Sequence, residues 1–385
     1  MRGRRSHVCL FLLAMILGLG LGYGSLAFAA KEPIRIGLQA PITGQWAYEG
    51  EMALNCVQIV ADEINARGGI LGRPIEIVPG DDQCSPKQSA LVAQRMLSEK
   101  VVAVIGTYGS SVTEPAATIY ERAGLLNIAY GSTAEQLTSH GWKFFFRTCF
   151  RDDRQGAFFA QFVNNTLKLK RVAILHDNTT FAKGLAEAAR RSLEQAKKAE
   201  IVFYDAVTPG ERDFTPVLSR MQTARPEVVY YTGYYPEAGL IIRQMRDLGS
   251  KAVFVGGNAA INDEFISIAG IEIAKGALMT QEPMPTDLRY PEAKPFLDEY
   301  VRRHKAPPSS PWPVYAADAL KVIAAAIEAT GSTDSKVLAD YIRKDMKDLP
   351  GITGPISFDD AGDREGAIYL AYEVTADGKF KPYQP

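Results

Sequence analysis

The stretch from Val101 to Thr138, VVAVIGTYGSSVTEPAATIYERAGLLNIAYGSTAEQLT, decides the fold. Its apolar run VVAVI stops at a loop of glycine and serine, after which Thr113-Glu114-Pro115 is expected to open an amphipathic helix, with the proline near the first turn where no N–H is needed. That helix is expected to end near Ala123-Gly124. A second apolar run, LLNIAY, stops at Gly131-Ser132-Thr133, and Ser132 with Glu135 has the spacing of a capping box. Each loop thus follows a strand and precedes a helix, where backbone N–H groups and the helix dipole favour an anion. The hydroxyls of Ser110, Ser111, Ser132 and Thr133 add donors, so the pair of loops is a candidate site for a small carboxylate. A single serine or threonine at a helix start is equally well explained as a cap; two such loops facing one crevice are not.

The pattern continues on both sides. Upstream, Ile34–Leu38 reads as a strand running into a loop with Trp46 and Glu49. A helix from Glu51 to Ala66 follows, then a strand from Pro74 to Val78 and a helix reaching about Lys100. Downstream of Arg147 the alternation restarts. Strands are expected at Arg171–Leu175, Glu200–Tyr204, Val228–Tyr231 and Ala252–Val255, with polar loops containing Phe181, Tyr234 and Asn258. Residues 282–330 hold two helices that can cover the first lobe, and residues 354–374 hold closing strands. Alternating strands and helices make parallel sheets with helices on both faces. The expectation is α/β: two doubly wound, Rossmann-like lobes with a cleft between them.

With 385 residues, 46% hydrophobic and 23% charged, the chain can bury a core of two-domain size. Residues 1–29 are set aside as a signal peptide. Arg2, Arg4 and Arg5 precede the apolar run, Ala27-Phe28-Ala29 offers a small-x-small cleavage site, and glycines break the run too early for a membrane anchor. No cysteine stands at a lipid-attachment position. Without the leader, 40 basic residues face 44 acidic ones, a balance of −4 that gives no footprint for nucleic acid. Cys56, Cys84 and Cys149 allow at most one disulfide and have no metal-ligand spacing. No nucleotide, nucleophile-elbow or zinc-protease motif is present, and His140, His176 and His304 are scattered, so neither a catalytic constellation nor a metal or cofactor site is expected. Trp46, Tyr48, Tyr108, Phe181, Tyr234 and Tyr235 all fall in loops at strand ends, as in a cleft lined by aromatic rings.

The segments ADEINARGGILGRPIEIV, GDDQCSPKQSALVA, VIGTYGSSVTEPAATIY, GSTAEQLT, RVAILHDNTTFAKGLA, TPGERDFT, YYTGYYPEAGLIIRQMRDLG and ITGPISFDDAGD together resemble the solute-binding proteins of branched-chain amino acid (leucine/isoleucine/valine) ABC transporters, which are type I periplasmic binding proteins. The resemblance covers nearly all of the chain after the leader. It implies a first lobe of residues 30–150 plus 282–358 and a second of 151–281 plus 359–385, joined by three crossovers. It further implies a periplasmic monomer that closes on an amino acid of branched-chain or other apolar type and docks on a membrane permease. By the same resemblance, Ser110 and Thr133 hold the ligand carboxylate, the Gly131 carbonyl meets the ammonium, and Phe181 and Tyr234 form the second lobe's face of the cleft. Three positions depart from the pattern. Asn258 replaces an acid usually set against the ammonium, Glu49 replaces an apolar or aromatic cover, and Gly109 replaces a cysteine that pairs with the one at Cys84. A neutral Asn258 leaves two choices: Glu49 supplies the missing charge from the opposite lobe, or the ligand has no ammonium and is another small carboxylate or amide. An exported α/β enzyme is the reading from a different class.

Overall fold

The structure is a computed structural model that describes residues 31–384. The signal peptide and its cleavage near Ala29 therefore lie outside the described residues.

The first part of the chain alternates β1 (Ile34–Ala40), α1 (Ala47–Ala66), β2 (Ile75–Asp81), α2 (Pro86–Ser98), β3 (Ala103–Ile105), α3 (Ser110–Ala123), β4 (Leu126–Ala129) and β5 (Phe145–Arg147). The chain then builds α4 (Asp152–Gln161), β6 (Arg171–His176), α5 (Thr180–Ala196), β7 (Glu200–Ala206), α6 (Thr215–Thr223), β8 (Val228–Tyr231), α7 (Tyr235–Asp247), β9 (Val253–Gly256), α8 (Asp263–Ala269), α9 (Ile271–Ala274) and β10 (Leu278–Gln281). It returns through α10 (Ala293–His304), α11 (Trp312–Thr330), α12 (Ser335–Lys344), β11 (Leu349–Gly351) and β12 (Gly354–Ile356), and finishes with β13 (Leu370–Val374) and β14 (Phe380–Pro382).

The strands form two large sheets. One has the order β2-β1-β3-β4-β5, all parallel; the other has the order β14-β13-β10-β9-β8-β6-β7, parallel from β10 to β7 with β13 and β14 antiparallel at its edge. Sequence explains which strands lie inside. LNIA of β4 and VVYY of β8 are buried at every position, as strands covered on both faces must be, whereas the edge strand β7 is only half-buried. The parallel cores of both sheets have the same winding, and the strand order reverses between β1 and β3 in one and between β6 and β8 in the other. Crevices at such reversals, beyond the carboxyl ends of the strands, are where doubly wound sheets bind ligands. α11 is apolar almost all round and packs on α1, β3 and β4, so the returning segment covers the first sheet.

Several boundaries differ from expectation. α1 begins at Ala47 rather than Glu51, with Trp46 as its N-cap, which places Glu49 in the first helical turn. α3 begins at Ser110, three residues before Thr113, and Pro115 lies inside it in the second turn, where the missing N–H forgoes one intrahelical bond. The capping box at Ser132 does not form. Glu135–Thr138 is a short 3-10 turn with Ala134 at its N-cap, and Ser132 Oγ is turned inward.

Candidate functional site

The β3 and β4 loops are stitched to each other. Ser110 Oγ accepts from Ala134 N at 3.2 Å, and Ser132 Oγ donates to Thr107 O at 3.0 Å and lies 2.5 Å from Thr113 Oγ1. Ser132 is thus spent on holding the two loops in register. Gly131 permits that register, because a Cβ there would lie 2.8 Å from Tyr108 O and from the Tyr108 ring. Thr133 differs from its neighbour. Its hydroxyl is buried, turned to the Asp152 carboxyl at the start of α4 and otherwise without a protein partner.

Arg147, fully buried at the end of β5, fixes the far side of this loop. Its Nη1 donates to Ser132 O and Ala134 O, both at 2.9 Å, its Nη2 donates to Thr138 Oγ1 at 2.7 Å, and its Nε is paired with Asp363. Asp363 also accepts from Thr138 Oγ1 at 2.8 Å and from Arg151 at 3.1 Å.

The aromatic residues gather from both sheets. Tyr234, at the N-cap of α7, lies 5.3 Å from Trp46, 6.1 Å from Tyr108 and 5.4 Å from Phe181 between ring centroids. Trp312, at the start of α11, joins through Tyr108 at 6.4 Å and was not singled out in the sequence; the run Pro311-Trp312-Pro313 at a helix start was the available signal. Tyr48 stays outside: it lies on the first turn of α1 and is 38% exposed. Tyr235 packs in the second sheet's core and reaches back through its hydroxyl to Gln45 O at 3.3 Å.

Loops of the two sheets also bond directly. Thr180 N donates to Ser111 Oγ at 3.3 Å, Gln45 Nε2 to Glu237 at 3.0 Å, and Asn262 Nδ2 to Glu49 Oε1 at 2.7 Å. The molecule is therefore in a closed arrangement. Glu49 accepts a further bond from Ser310 Oγ at 2.6 Å, so each of its oxygens already has one protein donor. Its carboxyl is pushed up to about 7 by burial, against the pull of Ser310 and Asn262. Glu49 thereby links α1 to the loop that caps α8 and to the residue before Pro311 at the start of α11.

Asn258, after β9, instead points its Nδ2 at Glu282 Oε2, 3.4 Å away. Glu282 directly follows β10, is fully buried, and has its carboxyl raised to about 7 by desolvation. Asp152 is raised to about 8, chiefly by desolvation. Sequence reasoning missed both acids, since an acid one residue past a strand or at a helix start reads as solvated or capping.

Among the described residues Cys56, Cys84 and Cys149 are free thiols. A Cβ at Gly109 would lie 2.7 Å from Cys84 Sγ, and Gly109 has an ordinary extended φ of −95°. Gly109→Cys is expected to oxidise with Cys84 and to raise stability by about 3 kcal/mol, the loop-closure scale for some 25 residues. Thiol titration should find two free thiols and a melting temperature that drops on adding reductant; four titratable thiols would contradict the geometry. Elsewhere, a groove of about 760 Å3 runs along Lys170, Arg171, Lys197 and Lys198. It lies at the amino ends of β6 and β7, opposite the loops described above, and its lysines are solvated.

A family model described as "Periplasmic binding protein" matches residues 33–379. The chain is 35% identical over 354 residues to a Leu/Ile/Val-binding protein of Rhizobium johnstonii, covering 91% of this chain and 95% of that protein. It is 34% identical over 371 residues to an amino acid binding protein of Pseudomonas aeruginosa, covering 96% of each. Among solved structures it is similar to the branched-chain amino acid transporter substrate-binding protein LivJ of Streptococcus pneumoniae in complex with isoleucine, with a TM-score of 0.82, 31% identity, and coverage of 92% of this chain and all of that one. Matching sequence over nearly the whole described chain, two sheets of the same winding and polar loops gathered at their carboxyl ends lead to one conclusion: the chain belongs to the periplasmic binding protein family, as a type I member related to the Leu/Ile/Val-binding proteins.

Proposed function

We propose that this protein is the extracellular solute-binding receptor of an ABC importer, binding a branched-chain or other apolar amino acid between its lobes and delivering it to a membrane permease. In this reading residues 1–29 export the chain and are cleaved near Ala29, and the mature protein is a periplasmic monomer. The lobes are residues 30–150 plus 282–358 and 151–281 plus 359–385. The observation that carries the reading is the convergence, at the carboxyl ends of both sheets, of Ser110, Ser111 and Thr133 with the rings of Trp46, Tyr108, Phe181 and Tyr234. Hydroxyls at a helix start suit a carboxylate, and the rings suit an apolar side chain.

Ser110→Ala and Thr133→Ala are each expected to weaken amino-acid binding by about 1.5–3 kcal/mol, the scale of a hydrogen bond to a charged group. Calorimetric titration of refolded, ligand-free protein measures this. A fall in melting temperature with unchanged affinity would assign the residue to loop structure alone. Closure is tested by X-ray scattering: the radius of gyration should shrink on saturation with L-leucine, since groups split between lobes bind the closed form better. Equal radii would count against a closing receptor, and formation of a product from the bound solute would make the protein an enzyme.

A further inference from the structure

Where the loops of both sheets meet the start of α4, the protein buries more hydrogen-bond acceptors than it can satisfy. Oδ1 of Asn258 and Oε1 of Gln155 have no protein donor, and Oε1 of Glu282 and both oxygens of Asp152 have none in good hydrogen-bond geometry, the nearest donors being the hydroxyls of Tyr369 for Glu282 and Thr133 for Asp152. All four residues are fully buried. The groups share one neighbourhood. Asn258 Nδ2 faces Glu282, the Glu282 charge acts on Asp152, Asp152 N donates to Thr133 O at 3.0 Å, and Gln155 Nε2 donates to Thr280 O at 2.8 Å at the end of β10. Burying acceptors in this number without donors costs several kcal/mol, and buried polar groups are otherwise almost always paired. A ligand group that brings only N–H donors and a positive charge would satisfy them.

We infer that Glu282, oriented by Asn258, is the residue that recognises the ligand's ammonium and so selects amino acids over the corresponding simple carboxylic acids. Asn258 is a positioning residue: its amide N–H holds one Glu282 oxygen and leaves the other, with its own Oδ1, to the ammonium. Glu282 is preferred to Glu49, both of whose oxygens have partners, and to Asp152, which lies beside the Thr133 hydroxyl where the ligand carboxylate is proposed to sit. The inference rests on the amino-acid receptor reading above and names the group within that site which reads the amine.

The test titrates L-leucine, L-phenylalanine and their des-amino partners 4-methylpentanoate and 3-phenylpropanoate into refolded wild type, Glu282→Gln, Glu282→Asp and Asp152→Asn. Wild type should bind an amino acid far better than its des-amino partner. Glu282→Gln should lose about 30-fold or more in amino-acid affinity, the scale of removing one partner of a buried charged pair, and should lose most of its preference over the des-amino acid. Glu282→Asp keeps the charge and should retain the preference with weaker binding, which separates recognition from folding damage. Amino-acid affinity within threefold of wild type in Glu282→Gln, with the loss appearing instead in Asp152→Asn, overturns the assignment and leaves the receptor reading intact. Wild type that binds a des-amino acid and neither amino acid overturns both.

Discussion

Replacing Arg147 with methionine is expected to destabilise the ligand-free protein by about 3–5 kcal/mol, the cost of breaking a buried ion pair by removing one partner. Methionine fills much of the same volume, so the loss comes from stranded polar groups rather than a cavity. The carbonyl of Ser132 loses its donor, that of Ala134 keeps only Leu137 N at 3.3 Å, and Asp363 keeps only Thr138 and the partly exposed Arg151. Those carbonyls belong to the loop that presents Thr133, so amino-acid affinity should fall together with stability. Urea denaturation measures the first and calorimetric titration the second. A loss below about 1 kcal/mol would mean that Arg151 and water replace Arg147 without penalty.

The second large effect is on pH. Burial raises Glu49 from 4.5 to about 7, Glu282 from 4.5 to about 7, and Asp152 from 3.8 to about 8. A carboxyl whose folded value lies above its unfolded one holds its proton more tightly in the folded chain. Its stabilising effect is complete below the unfolded value and is lost as pH rises through the folded value, here from about 4.5 to about 7 for Glu49. The shifts of Glu49 and Glu282 each correspond to about 3 kcal/mol and that of Asp152 to more, so the ligand-free protein should lose several kcal/mol between about pH 5 and pH 8. Glu49→Gln can still accept from Asn262 and should flatten that loss by about 2–3 kcal/mol, measured as urea stability across the range. Equal slopes for variant and wild type would show that Glu49 is already ionised in the folded chain at low pH.

The doubly wound architecture was legible because parallel strands covered on both faces must be continuous apolar runs, and VVAVI, LLNIAY and RVAIL are such runs between helices. The strand-end loops were legible for the same reason. Finer positions depended on contacts that periodicity does not encode. Proline suits a first turn, but α3 starts early enough to place Pro115 in its second, because Ser110 already belongs to the helix. Ser132 looks like a cap until Thr107 and Thr113 claim its hydroxyl. Glu49 finds Asn262 at a separation of 213 residues, and Asn258 finds Glu282 across neighbouring strand ends. Arg147 reads as an ordinary strand-end arginine until the last crossover brings Asp363 to it.

The central claim is that one cleft, built from loops of both sheets, holds a zwitterionic amino acid by its two charged ends. A crystal structure of the refolded protein grown with L-leucine tests it most directly. Leucine is expected between the lobes, with its carboxylate on Ser110 and Thr133, its ammonium on Glu282 and Asn258, and its side chain among Trp46, Tyr108 and Tyr234. Leucine bound at another place, or bound there with its ammonium turned away from Glu282 and Asn258, would contradict it.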